Sequence, residues 1–334
     1  MGVPMRAFTF AWILLAVAAC GKSKSTTGGG DDDQGGADAA GAGDTPSFTV
    51  QSTDLVVPAG GEVTKCYYFH TPNTSPLAIT KWSSHMTPGS HHMIMFWGSS
   101  TQPADGTIDE NCGIGTGTAA VPIWVYASQT PDEELQIPTD DGTGTNTPLA
   151  QPVPANQPAY FQMHYLNTTD ADETVHVQIN AYALATGVKY TETDAFVTYD
   201  AHISIPPEAV GVVATNTCST PTGGTFWTMS THSHKQSVET DVKDNAGNMV
   251  FMSTDWEHPG AVDWNAPTFY QFPGNSLTFD CTYNNNDPSD PNSETTITDG
   301  PSAQTNEMCM ATGYFFPATG AQFCYCVAQG CYAL

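Results

Sequence analysis

The chain has 334 residues, enough for about two domains. Its 34 acidic residues against 8 basic ones give a formal net charge of −26, which excludes nucleic acid as a partner because phosphate neutralisation needs Lys and Arg. The sole arginine is Arg6, so the body of the chain has no guanidinium to grip a carboxylate bidentately, and its acidity reads as a solubility feature.

In chain order, Met1 and Arg6 lead into "FTFAWILLAVAA", an apolar run too short to span a bilayer comfortably. It ends in "VAAC". That order resembles a bacterial lipoprotein signal, which implies removal of residues 1–19 and lipidation of Cys20. An ordinary cleaved secretory signal is the alternative, and either exports the chain. Gly21 stands where an inner-membrane retention signal has Asp, so the outer membrane of the cell envelope is the expected location. Residues 20–46 are Gly, Ala, Ser and Asp with almost nothing to bury, a flexible tether. Membrane contact is expected through the lipid anchor alone, and the chain is read as a monomer.

Beyond residue 47 no long stretch has a helical period. The apolar segments are short and rich in Val, Ile, Thr, Tyr and Phe, and turn clusters such as "TPNTSP" and "NNNDPSDPNS" separate them. "HVQINAYAL" alternates, as a half-buried strand does. The pattern predicts an all-β chain of two tandem antiparallel β-sandwich (jelly-roll-like) domains, 47–200 and 201–334. Besides Cys20 there are eight cysteines, an even number that in an exported chain reads as disulfides.

Three histidine contexts and one methionine stand out. In "SHHMIMFWG", His91 and His92 are adjacent, so they share a face only at a strand end or bulge; "MTPGS" upstream supplies such a break. In "AYFQMHYLN", His164 sits mid-strand. In "MSTHSHKQS", His232 and His234 are two apart and share a face of any strand. Each context alone is also compatible with satisfied core histidines. Met308 in "NEMCMATG" adds a thioether, a poor zinc ligand but a good one for cuprous copper.

Together these motifs resemble the copper type II, ascorbate-dependent monooxygenases, with "TKCYYFHTP", "HHMIMF", "FQMHYLN", "STHSHK" and "NEMC" in the family's order. The resemblance covers roughly residues 50 to 320. It implies two copper ions per chain, one held by His91, His92 and His164 and one, the oxygen-binding site, by His232, His234 and Met308. Each would sit on its own sandwich across an open cleft. It also implies the disulfides Cys66–Cys112 and Cys281–Cys309. Cys218 is left to pair with Cys324, Cys326 or Cys331. Because Cys324–Cys326 would be a tight ring, Cys218–Cys324 with Cys326–Cys331 is the expected solution.

The implied activity is hydroxylation of a C–H bond of a small organic substrate, using O2 and a reductant such as ascorbate. One departure matters: the peptide-processing member has an arginine two residues before its His-x-His pair, and here Ser230 stands there. A peptide carboxylate is therefore a poor substrate. The rival readings are a non-catalytic copper-scavenging envelope lipoprotein and a metal-free adhesion or carbohydrate-binding lipoprotein. His70, His85, His176, His202 and His258 are read as surface or supporting histidines, Lys235 as solvated, and Tyr314 as core.

Overall fold

The computed structural model describes residues 45–110, 112 and 123–334. The expected leader, Cys20 and all but the last two residues of the expected tether lie outside them. Among the described residues there is no α-helix, and the strands form two sandwiches.

In the first sandwich one sheet runs in the order Phe48–Gln51, Val177–Ala183, Leu77–Met86, Leu149–Val153 and Thr191–Glu192. The facing sheet runs Ile108–Asp109, Glu62–His70, Pro158–Leu166, Ser90–Trp97 and Ile123–Ser128. Their inner faces pack Ile79, Trp82, Met93, Met95, Tyr126 and Phe161 into one core. In the second sandwich one sheet orders Ala261–Asp263, Thr225–Ser233, Cys309–Phe316, Asp194–Asp200, Gln322–Val327 and Gly330–Ala333. The other orders Val210–Ser219, Ser276–Asn284, Ser237–Asp244 and Met249–Ser253. Ser276–Asn284 shows why such segments are strands: Leu277, Phe279, Cys281 and Tyr283 are buried while the residues between them are not, the two-residue period of a sheet with one face on a core.

The sequence places Asp194–Asp200 in the first domain, but its pairing puts it in the second. It lies antiparallel to Cys309–Phe316 and parallel to Gln322–Val327. All seven of its residues are buried, so it has no polar alternation from which to read a face, and the boundary falls before it.

The four disulfides are Cys66–Cys112, Cys218–Cys324, Cys281–Cys309 and Cys326–Cys331, the expected pairing. Cys218 Sγ lies 3.8 Å from Cys326 Sγ, so the last-named bridge and Cys218–Cys324 pack side by side.

The two sandwiches meet along an apolar seam. Ile94, Phe96 and Trp124 of the first pack with Val197, Trp227, Met308, Met310 and Tyr314 of the second. The hydroxyl of Tyr314 donates to the Val125 carbonyl across it at 3.0 Å. The strand Ser90–Trp97 is thus buried on both faces: Met93 and Met95 enter the sandwich core, and Ile94 and Phe96 the seam.

Candidate metal centre

The His-His strand is delivered by a turn in which Gly89 has φ of 93°, a conformation that favours glycine. Along its ladder with Pro158–Leu166, His164 pairs with His92 but Tyr165 pairs with Ser90. His91 is the residue skipped. A regular strand would send His91 and His92 to opposite faces; a bulge re-aims one of them. Their rings lie 4.8 Å apart, and those of His92 and His164 4.9 Å apart. His232 is the second-to-last residue of the strand Thr225–Ser233, opposite Met310, and His234 follows just past its end.

The resemblance implies two separated ligand sets. In the structure they meet. His92 and His232 have ring centroids 4.9 Å apart, His91 and His232 5.6 Å, and His164 and His234 6.2 Å. The five rings form one cluster at the end of the apolar seam, each at most 8% exposed.

Hydrogen-bond partners decide which nitrogen of each ring faces inward. His232 Nδ1–H donates to Gln129 Oε1 at 2.7 Å, and the Gln129 amide nitrogen in turn donates to the Thr231 carbonyl at 3.4 Å. His234 Nδ1–H donates to the Asn306 carbonyl at 3.1 Å. His164 Nε2–H donates to Glu62 Oε1 at 2.6 Å, because an ionised carboxylate only accepts. That leaves His232 Nε2, His234 Nε2 and His164 Nδ1 as lone-pair nitrogens. Of the inward-facing atoms, His91 Nε2, His92 Nδ1, His232 Nε2 and His234 Nε2 are buried with no hydrogen-bond partner.

Burial is costly for an unpaired polar atom, and four converging in one place is the signature of a ligand set. The ligand nitrogens of His91, His92 and His232 lie within 4.8 Å of one another, as do those of His91, His164 and His234. Nitrogens bound to one ion at about 2 Å sit about 3–4 Å apart, so modest closure of the rings completes either triad. Both triads take ligands from both sandwiches and both use His91. Burial, reinforced by the neighbouring histidines, pushes His91, His92 and His234 well below the usual imidazole range and His232 down to about 3. Neutral imidazole is the form that binds metal.

Met308 is buried in the seam, and its carbonyl accepts the Tyr283 hydroxyl at 2.8 Å. Glu307 ties it to the His-x-His segment. The fully buried Glu307 carboxylate accepts the backbone N–H groups of His234 at 2.9 Å, Gln236 at 2.7 Å and Met308 at 3.3 Å. Burial raises its pKa to about 8 against those bonds. Glu62 shows the opposite balance. Burial alone would raise its carboxyl, but the bonds from His164, Ser302 and Ala303 together outweigh it and hold the group below its ordinary value.

One cavity opens on the centre, and a second reaches Gln129, the partner of His232. The first, of about 190 Å³, opens on His91, beside Trp256, Glu257 and His258; the Trp256 ring lies 5.3 Å from that of His91. The other, about 290 Å³, lies between the sandwiches and is lined by Trp124, Leu135, Tyr314, Gln129, Glu133 and Ser230 among others. No lysine or arginine lines it.

Three of the remaining histidines are held by carboxylates away from the cluster. His70, His85 and His176 pair with Asp105, Asp132 and Asp54, and Lys235 pairs with Asp290 at 2.7 Å rather than standing free. His258, read from sequence as a surface residue, lines both cavities. Glu62, Gln129 and Glu307 are invisible as site residues in the sequence, apart from the position of Glu307 beside Met308.

No protein-family model matches the sequence, and no curated protein matches it. Among solved structures, the major capsid protein P2 of bacteriophage PM2 is 8% identical over 82% of this chain and 100% of its own, with a TM-score of 0.32. The PBSX exported protein XepA is 6% identical over 80% and 86%, with a TM-score of 0.20. A triple jelly-roll protein of an archaeal virus is 10% identical over 79% and 59%, with a TM-score of 0.19. Likenesses this low carry nothing about function.

Proposed function

We propose that the five-histidine cluster binds copper and that the chain is a copper-dependent monooxygenase, hydroxylating a C–H bond of a small organic molecule with O2 and a reductant such as ascorbate. The observation that carries the metal reading is the convergence of four buried imidazole nitrogens without partners. Imidazole ligands suit copper among other metals, and the order of the five sequence motifs, with Met308 in the last of them, supports the copper monooxygenase reading.

His91, His92, His164, His232 and His234 would hold the metal. Copper bound there supplies one-electron redox chemistry and oxygen activation. The chain's own part is orientation. Gln129, Asn306 and Glu62 fix the three ring tautomers described above, as hydrogen-bond partners of metal-bound histidines do. The larger cavity, apolar and aromatic with a carboxylate and no lysine or arginine, suits a small, mainly apolar substrate without a carboxylate group.

A second reading, a copper-holding lipoprotein with no catalysis, draws on the burial of all five histidines at 8% or less. Copper-loaded protein with ascorbate, screened against small molecules for oxygen uptake and for isotopic oxygen in the product, separates the two. Labelled product, lost in Met308→Ile, supports the monooxygenase. Retained copper with no substrate-dependent uptake supports the holder, and no copper after dialysis sinks both.

A further inference from the structure

Glu62 stands on the strand Glu62–His70 of the first sandwich, yet two of its three hydrogen-bond donors belong to the second. Oε1 accepts His164 Nε2–H at 2.6 Å and the Ala303 backbone N–H at 2.7 Å, and Oε2 accepts the Ser302 hydroxyl at 2.7 Å. Ser302 in turn organises the segment leading to Met308. Its Oγ accepts the N–H groups of Gln304 and Thr305, both at 3.2 Å, and its carbonyl accepts Asn306 N–H at 2.9 Å. The Asn306 carbonyl then takes His234 Nδ1–H. An unbroken run of hydrogen-bonded groups therefore links the imidazole of His164 to that of His234, with Glu62 as its only member that bridges the sandwiches.

We propose that Glu62 is a positioning residue for the metal centre: a clasp that turns His164 Nδ1 inward and holds the 302–306 segment, and through it His234, against the first sandwich. The proposal rests on the copper reading for its consequence but not for its geometry. A carboxylate suits the role because three donors converge on it, and a negative group beside a ligating imidazole raises that ligand's basicity. Glutamine keeps an oxygen for His164 and Ala303, whereas alanine keeps nothing.

The test compares Glu62→Ala, Glu62→Gln and Ser302→Ala with the full chain, first without metal and then with cupric ion. Backbone hydrogen exchange in the metal-free protein should quicken over 302–308 in Glu62→Ala, although no residue of that segment has changed. With cupric ion, Glu62→Ala should lose about 10- to 100-fold in affinity and show an altered paramagnetic resonance spectrum. Ser302→Ala should move both readouts less, and Glu62→Gln should stay within a few-fold of the parent. Unchanged exchange and an unchanged copper spectrum in Glu62→Ala would overturn the clasp. If the parent chain retains no copper, the metal reading fails on its own. The clasp is then judged by exchange alone, upheld if 302–308 loosens in Glu62→Ala and overturned if it does not.

Discussion

His232 lies closer to a histidine of the other sandwich than to its own His-x-His partner: the ring centroids are 4.9 Å apart for His92 and His232, against 5.3 Å for His232 and His234. A metal held here ties the sandwiches together. Copper at 100 times its dissociation constant should therefore stabilise the fold by about 2.7 kcal/mol. Thermal unfolding should shift upward as one transition and fall back on chelation. A melting temperature indifferent to both copper and chelator would contradict the site.

Glu307 gives a prediction about the scaffold rather than the metal. Truncation to alanine orphans the buried N–H groups of His234, Gln236 and Met308, which the carboxylate now accepts from at 2.7–3.3 Å. Each stranded donor costs about 1–3 kcal/mol where no water reaches it. Allowing for relaxation, Glu307→Ala should destabilise the chain by about 2–4 kcal/mol in chemical denaturation. A loss under 1 kcal/mol would show that the segment finds other acceptors.

Asp194 gives a prediction about pH. It is 7% exposed, and burial raises its pKa to about 6 although Ala195 N–H and the Gln151 amide donate to it at 2.9 and 3.0 Å. Because the folded chain holds this proton more tightly than the unfolded chain does, the group's stabilisation is complete below its ordinary pKa and is lost as pH rises through about 6. Asp194→Asn should remove that loss, leaving the variant more stable than the parent at pH 7 by about 1–3 kcal/mol. Its stability should also vary less between pH 4 and 6, measured by denaturant unfolding across the range. A variant no more stable at pH 7 would contradict it.

Much of this was legible in the sequence. Alternation marked strands such as Ser276–Asn284, and the even cysteine count marked the disulfides. The adjacent pair at 91 and 92 could share a face only at a strand end or a bulge, and the ladder skips His91. The contact between the two histidine sets was not legible, because no local pattern records how two sandwiches meet; that is decided by the seam of Phe96, Trp124, Trp227 and Tyr314. Asp194–Asp200 was misplaced because a strand buried on both faces has no alternation to read. Glu62 and Gln129 carried no site signal in the sequence, since Ser302 and Ala303 reach Glu62, and His232 reaches Gln129, from the other sandwich.

The central claim is that histidines from both sandwiches hold the same ion. Copper retained per chain after dialysis should be measured for the parent, His92→Ala, His232→Ala and the double variant. Each single variant should weaken binding of the same first ion, and the double should cost less than the sum of the two. If instead each single variant lost its own separate ion, leaving the other bound at parental affinity, and the double lost both independently, the shared centre would be contradicted.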